Sequence, residues 1–379
     1  MLRVLGSAAL SEFLADLVVY RSLVPCDTRL PTVDDLRGPL GLEGGGIPRK
    51  TELEYARLVA EMLREARRLE GRGDALIGIV MVGDTEHNDG TAFANLCEVL
   101  ELSGATFICD EGGDEPRLET VPGEHGRYLC RANRWRLLSD FDAWMTERGA
   151  AIGGSTVVIV DIDKTALGAR GRNHRPIDAA RTAAARRTVV ELLGDRADPE
   201  LIQTAYDHLN RPVFHAFTTD NQDYLAYLCL LVGSGWASLD GLVEGISNGR
   251  WPDFAGLLAR VSQSVDALPE GLDELHLRVT AAVTAGDPTP FKEFRRAEFT
   301  ETVARMSLAD PETPIDTLLA DRITVTAEVR HWALEWRSRG ALVFGLSDKP
   351  DEASLPTPEM AEGGMVPLHH TPALIVGEL

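Results

Sequence analysis

Lysine is nearly missing from this chain. Only Lys50, Lys164, Lys292 and Lys349 occur among 38 basic residues, and arginine supplies the rest. A protein that carries its surface charge on arginine keeps lysine where a compact point charge is wanted. Basic charge is also short overall: 38 Lys and Arg face 59 Asp and Glu, a formal charge of −21. That argues against electrostatic binding of nucleic acid, which shows as a basic patch, but leaves room for a local basic pocket that takes a small anion. The five cysteines, Cys26, Cys97, Cys109, Cys130 and Cys229, contain no C-x-x-C spacing and are odd in number. They fit reduced thiols in a cytosolic protein better than a disulfide framework. No apolar run reaches the roughly 20 residues of a bilayer span. The longest, "YLAYLCLLVGSGWASL", is diluted by Gly and Ser. In "MLRVLGSAALSEFLADLVVY", Glu12 and Asp16 interrupt the apolar pattern and no small-residue cleavage site follows, so residues 6–22 read as an amphipathic helix rather than a signal peptide. These absences together point to a soluble, cytoplasmic protein that binds neither membrane nor nucleic acid.

A length of 379 residues suggests two or three domains. "TELEYARLVAEMLREARRLE" has a helical period, and Thr51 with Glu54 forms a capping-box pattern, which predicts a helix start at Thr51. Lys50 then lies just outside a helix N-terminus, where backbone N–H groups and the helix dipole favour an anion. "ALIGIVMV", "STVVIV" and "ALVFGL" are apolar throughout rather than alternating, as strands buried on both faces are. Alternating with helical segments, they predict an α/β fold with a parallel sheet. "TPALIVGEL" reads as a last strand of that sheet. Residues 179–308 are mostly helical and look like an inserted second domain.

Ligands bind such sheets beyond the carboxyl ends of the strands. Three strands end there in chemically useful groups: Asp161 and Asp163, Asp84 and Asp89, and Ser347. Carboxylates this close repel unless a cation neutralises them, and an all-oxygen set suits a hard ion such as Mg²⁺. One carboxylate can then attack an electrophilic phosphorus while a second serves as general acid and base.

These motifs resemble those of the haloacid dehalogenase superfamily of phosphohydrolases. "VVIVDIDKT" is similar to its first motif, "ALVFGLS" to its second, Lys50 to its third and "IVMVGDTEHND" to its fourth. The family order is first to fourth; here it runs third, fourth, first, second, as a circular permutation would give. The resemblance implies a permuted three-layer Rossmannoid parallel sheet with an inserted helical cap. The expected divisions are an N-terminal helical segment and loop (1–45), the core in two parts (46–175 and 326–379) and the cap (176–325).

Carried over residue by residue, the resemblance implies Asp161 as nucleophile and Asp163 as acid and base. Ser347 and Lys50 would bind the phosphoryl group, with Arg49 as a rival for Lys50, and Thr165 would orient the loop. Asp84, Asp161 and the Asp163 main-chain carbonyl would hold Mg²⁺, with Asp89 supporting, although Asn88 could take its place. His87 and Lys349 read as a solvated loop residue and a turn residue. The arginines of "ARGRNHR" read equally as a flap beside the site and as surface charge. The implied activity is hydrolysis of a small phosphorylated metabolite. The alternatives are a phosphotransferase or mutase on the same core, a non-catalytic phosphate-ligand binding protein, and a D-x-D glycosyltransferase.

Overall fold

The computed structural model describes residues 1–42, 45–71, 75–113, 115–310 and 313–378. Its chain divides into two compact units. One comprises residues 1–44, 48–177 and 303–379, the other 45–47 and 178–302.

The first unit is α/β. Its strands are β1 (Arg3–Ala8), β2 (Val18–Val19), β3 (Gly78–Gly83), β4 (Ser103–Cys109) and β5 (Leu118–Pro122). After these come β6 (Arg127–Ala132), β7 (Thr156–Asp161), β8 (Val325–Thr326), β9 (Leu342–Leu346) and β10 (Ala373–Gly377). Seven of them form one sheet in the order β2-β9-β7-β3-β4-β6-β5, parallel except that β5 runs antiparallel to β6. Helices Thr91–Leu100, Leu138–Glu147 and Ala327–Ser338 immediately precede β4, β7 and β9 in the order of elements, apart from loops. The fold is thus Rossmann-like α/β, as the unbroken apolar strands require, since parallel strands need helical crossovers that cover both sheet faces. Every residue of β7 and β9 is buried. Burying a side chain such as Val157, Val158, Ile159 or Val160 contributes about 1.5–3 kcal/mol. Four of them outweigh the several kcal/mol that one desolvated carboxylate at the strand tip costs.

Three expectations are corrected. Residues 6–22 do not form one amphipathic helix, although Val33–Leu40 farther along the N-terminal segment is helical. Arg3–Ala8 is a strand, the helix of residues 6–22 is cut to Ser11–Leu14, and Val18–Val19 pairs with Gly345 and Leu346 at the edge of the large sheet. The β-branched pair finds a strand partner far along the chain, and that tertiary pairing overrides a local helical period. "TPALIVGEL" does form a strand, but outside the large sheet: β10 lies between β1, antiparallel, and β8, parallel, in a separate three-stranded sheet. The position beside β9 belongs to β2. The third correction concerns the helix after Lys50, which spans Leu53–Leu69. Its cap residue is Glu52, with no side-chain cap, so the capping box at Thr51 does not form.

The second unit is helical. The segment noted for its apolar run becomes the helix Gln222–Gly233, buried from Leu225 to Val232. A helix apolar on all sides belongs in the middle of a bundle. Here it packs in one core with Leu257, Val261, Phe291 and Phe294. Among the described residues, no helix is long and apolar enough to cross a membrane.

Candidate functional site

The register of the large sheet sets the site. Val82 pairs with Val160, and Asp161 pairs with Leu346. The residues that follow β3, end β7 and follow β9 (Asp84, Asp161 and Ser347) therefore emerge at the carboxyl ends of three adjacent parallel strands. Carboxylate oxygens of Asp84, Asp89 and Asp161 all lie within 4.8 Å of one another. All three side chains are buried.

Asp89 reaches this cluster through an irregular backbone. After β3 the chain makes one wide turn over Glu86–Gly90, with Gly90 N–H donating to the Thr85 carbonyl five residues back at 3.3 Å. Single π-type turns of this kind recur at functional sites. The turn folds Asp89 onto its own strand end, where Oδ2 accepts the N–H groups of Asp84 and Thr85, both at 3.0 Å. Gly83 permits the approach, because a Cβ there would lie 2.4 Å from the Asp89 carboxylate. Of the two neighbours weighed for this role, Asn88 is exposed and Asp89 is buried.

Lys50 ties the cluster together. Its Nζ donates to Asp89 Oδ1 at 2.6 Å and to Asp161 Oδ1 at 2.7 Å, with the side chain only 2% exposed. Arg49 points to solvent. Arg170, which sequence reasoning left open as flap or surface charge, donates from Nε to Asp84 Oδ2 at 2.5 Å. The signal for it was the pair of glycines that flank "AR": Gly168 and Gly171 both adopt left-handed φ, and a Cβ on Gly171 would lie 2.0 Å from the Glu111 carbonyl oxygen. Next to it, Arg172 is a buried brace that donates to Glu111 and to both oxygens of Glu328.

Three carboxylates thus face two cations, and the imbalance shows in their acidities. Burial pushes Asp84 up to about 6, and the Asp89 charge adds to it against Arg170 and Lys50. Burial raises Asp161 well above the carboxylate range despite Lys50. For Asp89, burial is outweighed by the Lys50 charge and by the hydrogen bonds from Lys50, Thr85 and Asp84, so its carboxyl is lowered. Lys50 is held charged: burial opposes it, but Asp161 and Asp89 dominate.

Among the described residues, Asp161 Oδ2 is a buried carboxylate oxygen with no hydrogen-bond partner. Leaving a buried carboxylate oxygen unpaired is costly, and such exceptions call for an explanation in function or in a missing ion. Both oxygens of Asp89 are already engaged, so the direct donors left for a cation are Asp161 and Asp84. An all-oxygen set with surplus negative charge fits a hard divalent ion.

The remaining motif residues sit around this centre. Asp163 is half-buried, two residues beyond β7, and is not one of the three converging carboxylates. Lys164 has φ +65°, a left-handed conformation that costs a non-glycine residue about 1–2 kcal/mol. Strain of this kind gathers at functional loops. Thr165 is fully buried; its carbonyl accepts the Thr326 hydroxyl at 2.5 Å, while its own Oγ1 has no partner. Ser347 is fully buried; its Oγ accepts the Lys349 N–H at 3.1 Å and its N–H donates to the Val19 carbonyl at 3.0 Å. His87 is exposed, away from these contacts. No protein-family model matches the chain, and neither a curated protein nor a solved structure matches it.

Proposed function

We propose that the chain is a Mg²⁺-dependent phosphatase that hydrolyses a small phosphate monoester through an aspartyl-phosphate, built on a circularly permuted core of the haloacid dehalogenase type. The observation that carries this reading is the unpaired Asp161 Oδ2, buried beside Lys50 and Asp84 at the tips of adjacent strands. A carboxylate oxygen without a donor is a nucleophile kept free of hydrogen bonds that would lower its reactivity.

On this reading Asp161 attacks phosphorus, forming an Oδ–P bond as the ester P–O bond breaks. Asp163 gives its proton to the departing oxygen, then takes one from the water that cleaves the acyl phosphate, which restores Asp161 and releases phosphate. Lys50 and Ser347 carry the charge on the transferring group, and Thr165 orients the loop. Mg²⁺, held by Asp161, Asp84 and the Asp163 main chain, would supply the neutralising charge that lets both Asp84 and Asp161 stay ionised. Asp89 acts one step back by fixing Lys50. The helical unit, inserted in chain order between the strands of the first and second motifs, would be the substrate-selecting cap.

The test is hydrolysis of a panel of small phosphate esters by wild type and Asp161→Asn, each with Mg²⁺ or EDTA. Metal-dependent turnover that falls at least about 1,000-fold in the variant is expected, the scale of losing a residue that acts as part of a unit. Folded wild type that turns over none of the esters would shift the reading to a binding protein.

A further inference from the structure

A second cluster in the α/β unit contains no part of the motifs above. Asp16 Oδ1 lies 2.7 Å from His370 Nε2 and 3.2 Å from His369 Nε2. The two imidazoles are neighbours in one short turn, Leu368–His370, with ring centroids 4.4 Å apart. Both aim the same ring nitrogen at a single oxygen. Asp16 comes from the other end of the chain, between the helix Ser11–Leu14 and β2.

The surroundings are built rather than incidental. His369 is 1% exposed, and its other nitrogen, Nδ1, lies 3.3 Å from the hydroxyl of fully buried Tyr20. Asp16 is fixed through its backbone, since its carbonyl accepts the N–H groups of Val18 at 2.7 Å and Asp27 at 2.9 Å. The residue before it, Ala15, has φ +51° and ψ −130°, a conformation L-residues rarely adopt. That strain aims the Asp16 carboxylate at the histidines. Asp16 and His370 are 53% and 40% exposed, so solvent and ions reach the cluster.

We propose that Asp16, His369 and His370 form a binding site for a borderline divalent metal of the Zn²⁺ class. Two imidazoles and one carboxylate are a donor set that such ions prefer and Mg²⁺ does not. With Nε2 as the ligand atom, the ring proton of His369 sits on Nδ1 and points to Tyr20, the outer hydrogen bond that metal-bound histidines characteristically make. Three protein ligands leave a position for water. The ion clasps two segments that the sheets hold weakly. One is the two-residue edge strand β2, whose Val19 carbonyl takes the Ser347 N–H; the other is the turn leading into β10. Arg21 N–H and Ser22 N–H reach the Lys349 carbonyl at 3.1 Å and Asp351 Oδ1 at 2.8 Å. The clasp therefore steadies the loop that carries Ser347.

The full chain, without a histidine tag and stripped of metal, is titrated with Co²⁺ as a spectroscopic probe and then with Zn²⁺ in competition. Wild type and Asp161→Asn are expected to share one equivalent that gives the visible absorption of Co²⁺ in a nitrogen-containing site, whatever the all-oxygen site around Asp161 takes up besides. His370→Ala, an exposed position, and Asp16→Asn should weaken binding by at least about tenfold, since even outer-shell losses cost 10–100-fold. Far-UV circular dichroism verifies that each variant is folded. Unchanged affinity in His370→Ala, no binding by wild type, or loss of binding only in Asp161→Asn would overturn the proposal.

Discussion

Both units of this protein bury carboxylates against cations, but they finish the arrangement differently. In the helical unit, Asp223 Oδ1 accepts the Phe291 N–H at 3.0 Å and Oδ2 accepts Arg295 Nε at 2.7 Å. Glu298 takes Arg295 at 2.6 Å on one oxygen and Arg181 at 3.1 Å on the other. Two buried acids meet two arginines and each of the four acid oxygens has a donor, while half-exposed Asp178 also reaches Arg181 at 3.4 Å. At the edge of the large sheet three acids meet two cations, and Asp161 Oδ2 has none. Burial raises an acid in both places, Asp223 to about 6 and Asp84 to about 6. Perturbed acidity alone thus does not separate a structural network from a reactive one. Completeness of hydrogen bonding at the buried oxygens does.

The largest effects should come from removing the central cation of each network. Arg295→Met leaves Asp223 and Glu298 without it and should cost about 3–5 kcal/mol in urea unfolding, the usual penalty for breaking a buried pair. Lys50→Met should cost a similar amount. The comparison predicts a difference in rescue: millimolar Mg²⁺ returns part of the loss in Lys50→Met and none in Arg295→Met. Equal behaviour of the two variants would remove the distinction.

A smaller effect concerns protonation in the helical unit. His276 is buried between the Tyr227 hydroxyl at 2.6 Å and the Ser262 hydroxyl at 2.8 Å, and burial lowers its pKa below the ordinary 6.5. The unfolded chain then binds the extra proton first. Its contribution to stability is complete above pH 6.5 and is lost as pH falls through 6.5 toward the folded value, by up to about 1.4 kcal/mol per pH unit. Urea midpoints of wild type and His276→Gln across this range isolate the effect, because the opposite slope from Asp223 cancels in their difference. A flat difference curve would mean that His276 charges as readily in the fold as outside it.

The smallest effect is expected at Arg49, exposed next to buried Lys50. Arg49→Ala should change stability by less than about 0.5 kcal/mol, as surface substitutions do, and leave ester hydrolysis intact. A loss of turnover comparable to that of Lys50→Met would reassign the phosphate contact.

What could be read from the sequence depended on how local the cause was. The strands β3, β7 and β9 and their polar tips were legible because a buried parallel strand writes its burial into consecutive residues. Lys50 stood out because lysine is scarce. Arg170 did not, because one arginine among so many is marked only by the glycines around it, Gly168 and Gly171, and their left-handed turns show what they do only in the folded loop. The edge strand β2 and the placement of β10 were hidden for another reason. Two valines do not say which strand they will join, and the partner of β2 is more than 300 residues away. The choice between Asp89 and Asn88 likewise waited on the wide turn at Glu86–Gly90.

The pairing of β2 with β9 and of β1 with β10 also sets a timetable for synthesis. Leu10, Phe13, Leu14, Val18 and Val19 are buried in the finished fold. On the ribosome they emerge more than 300 residues before Gly345 and Leu346, which receive β2, and before Ala373–Gly377, which receives β1. At about 5–20 residues per second the wait is on the order of tens of seconds. Throughout it an apolar segment with unpaired strand edges is open to chaperones or to other nascent chains, and the large sheet can be completed only once β9 has emerged.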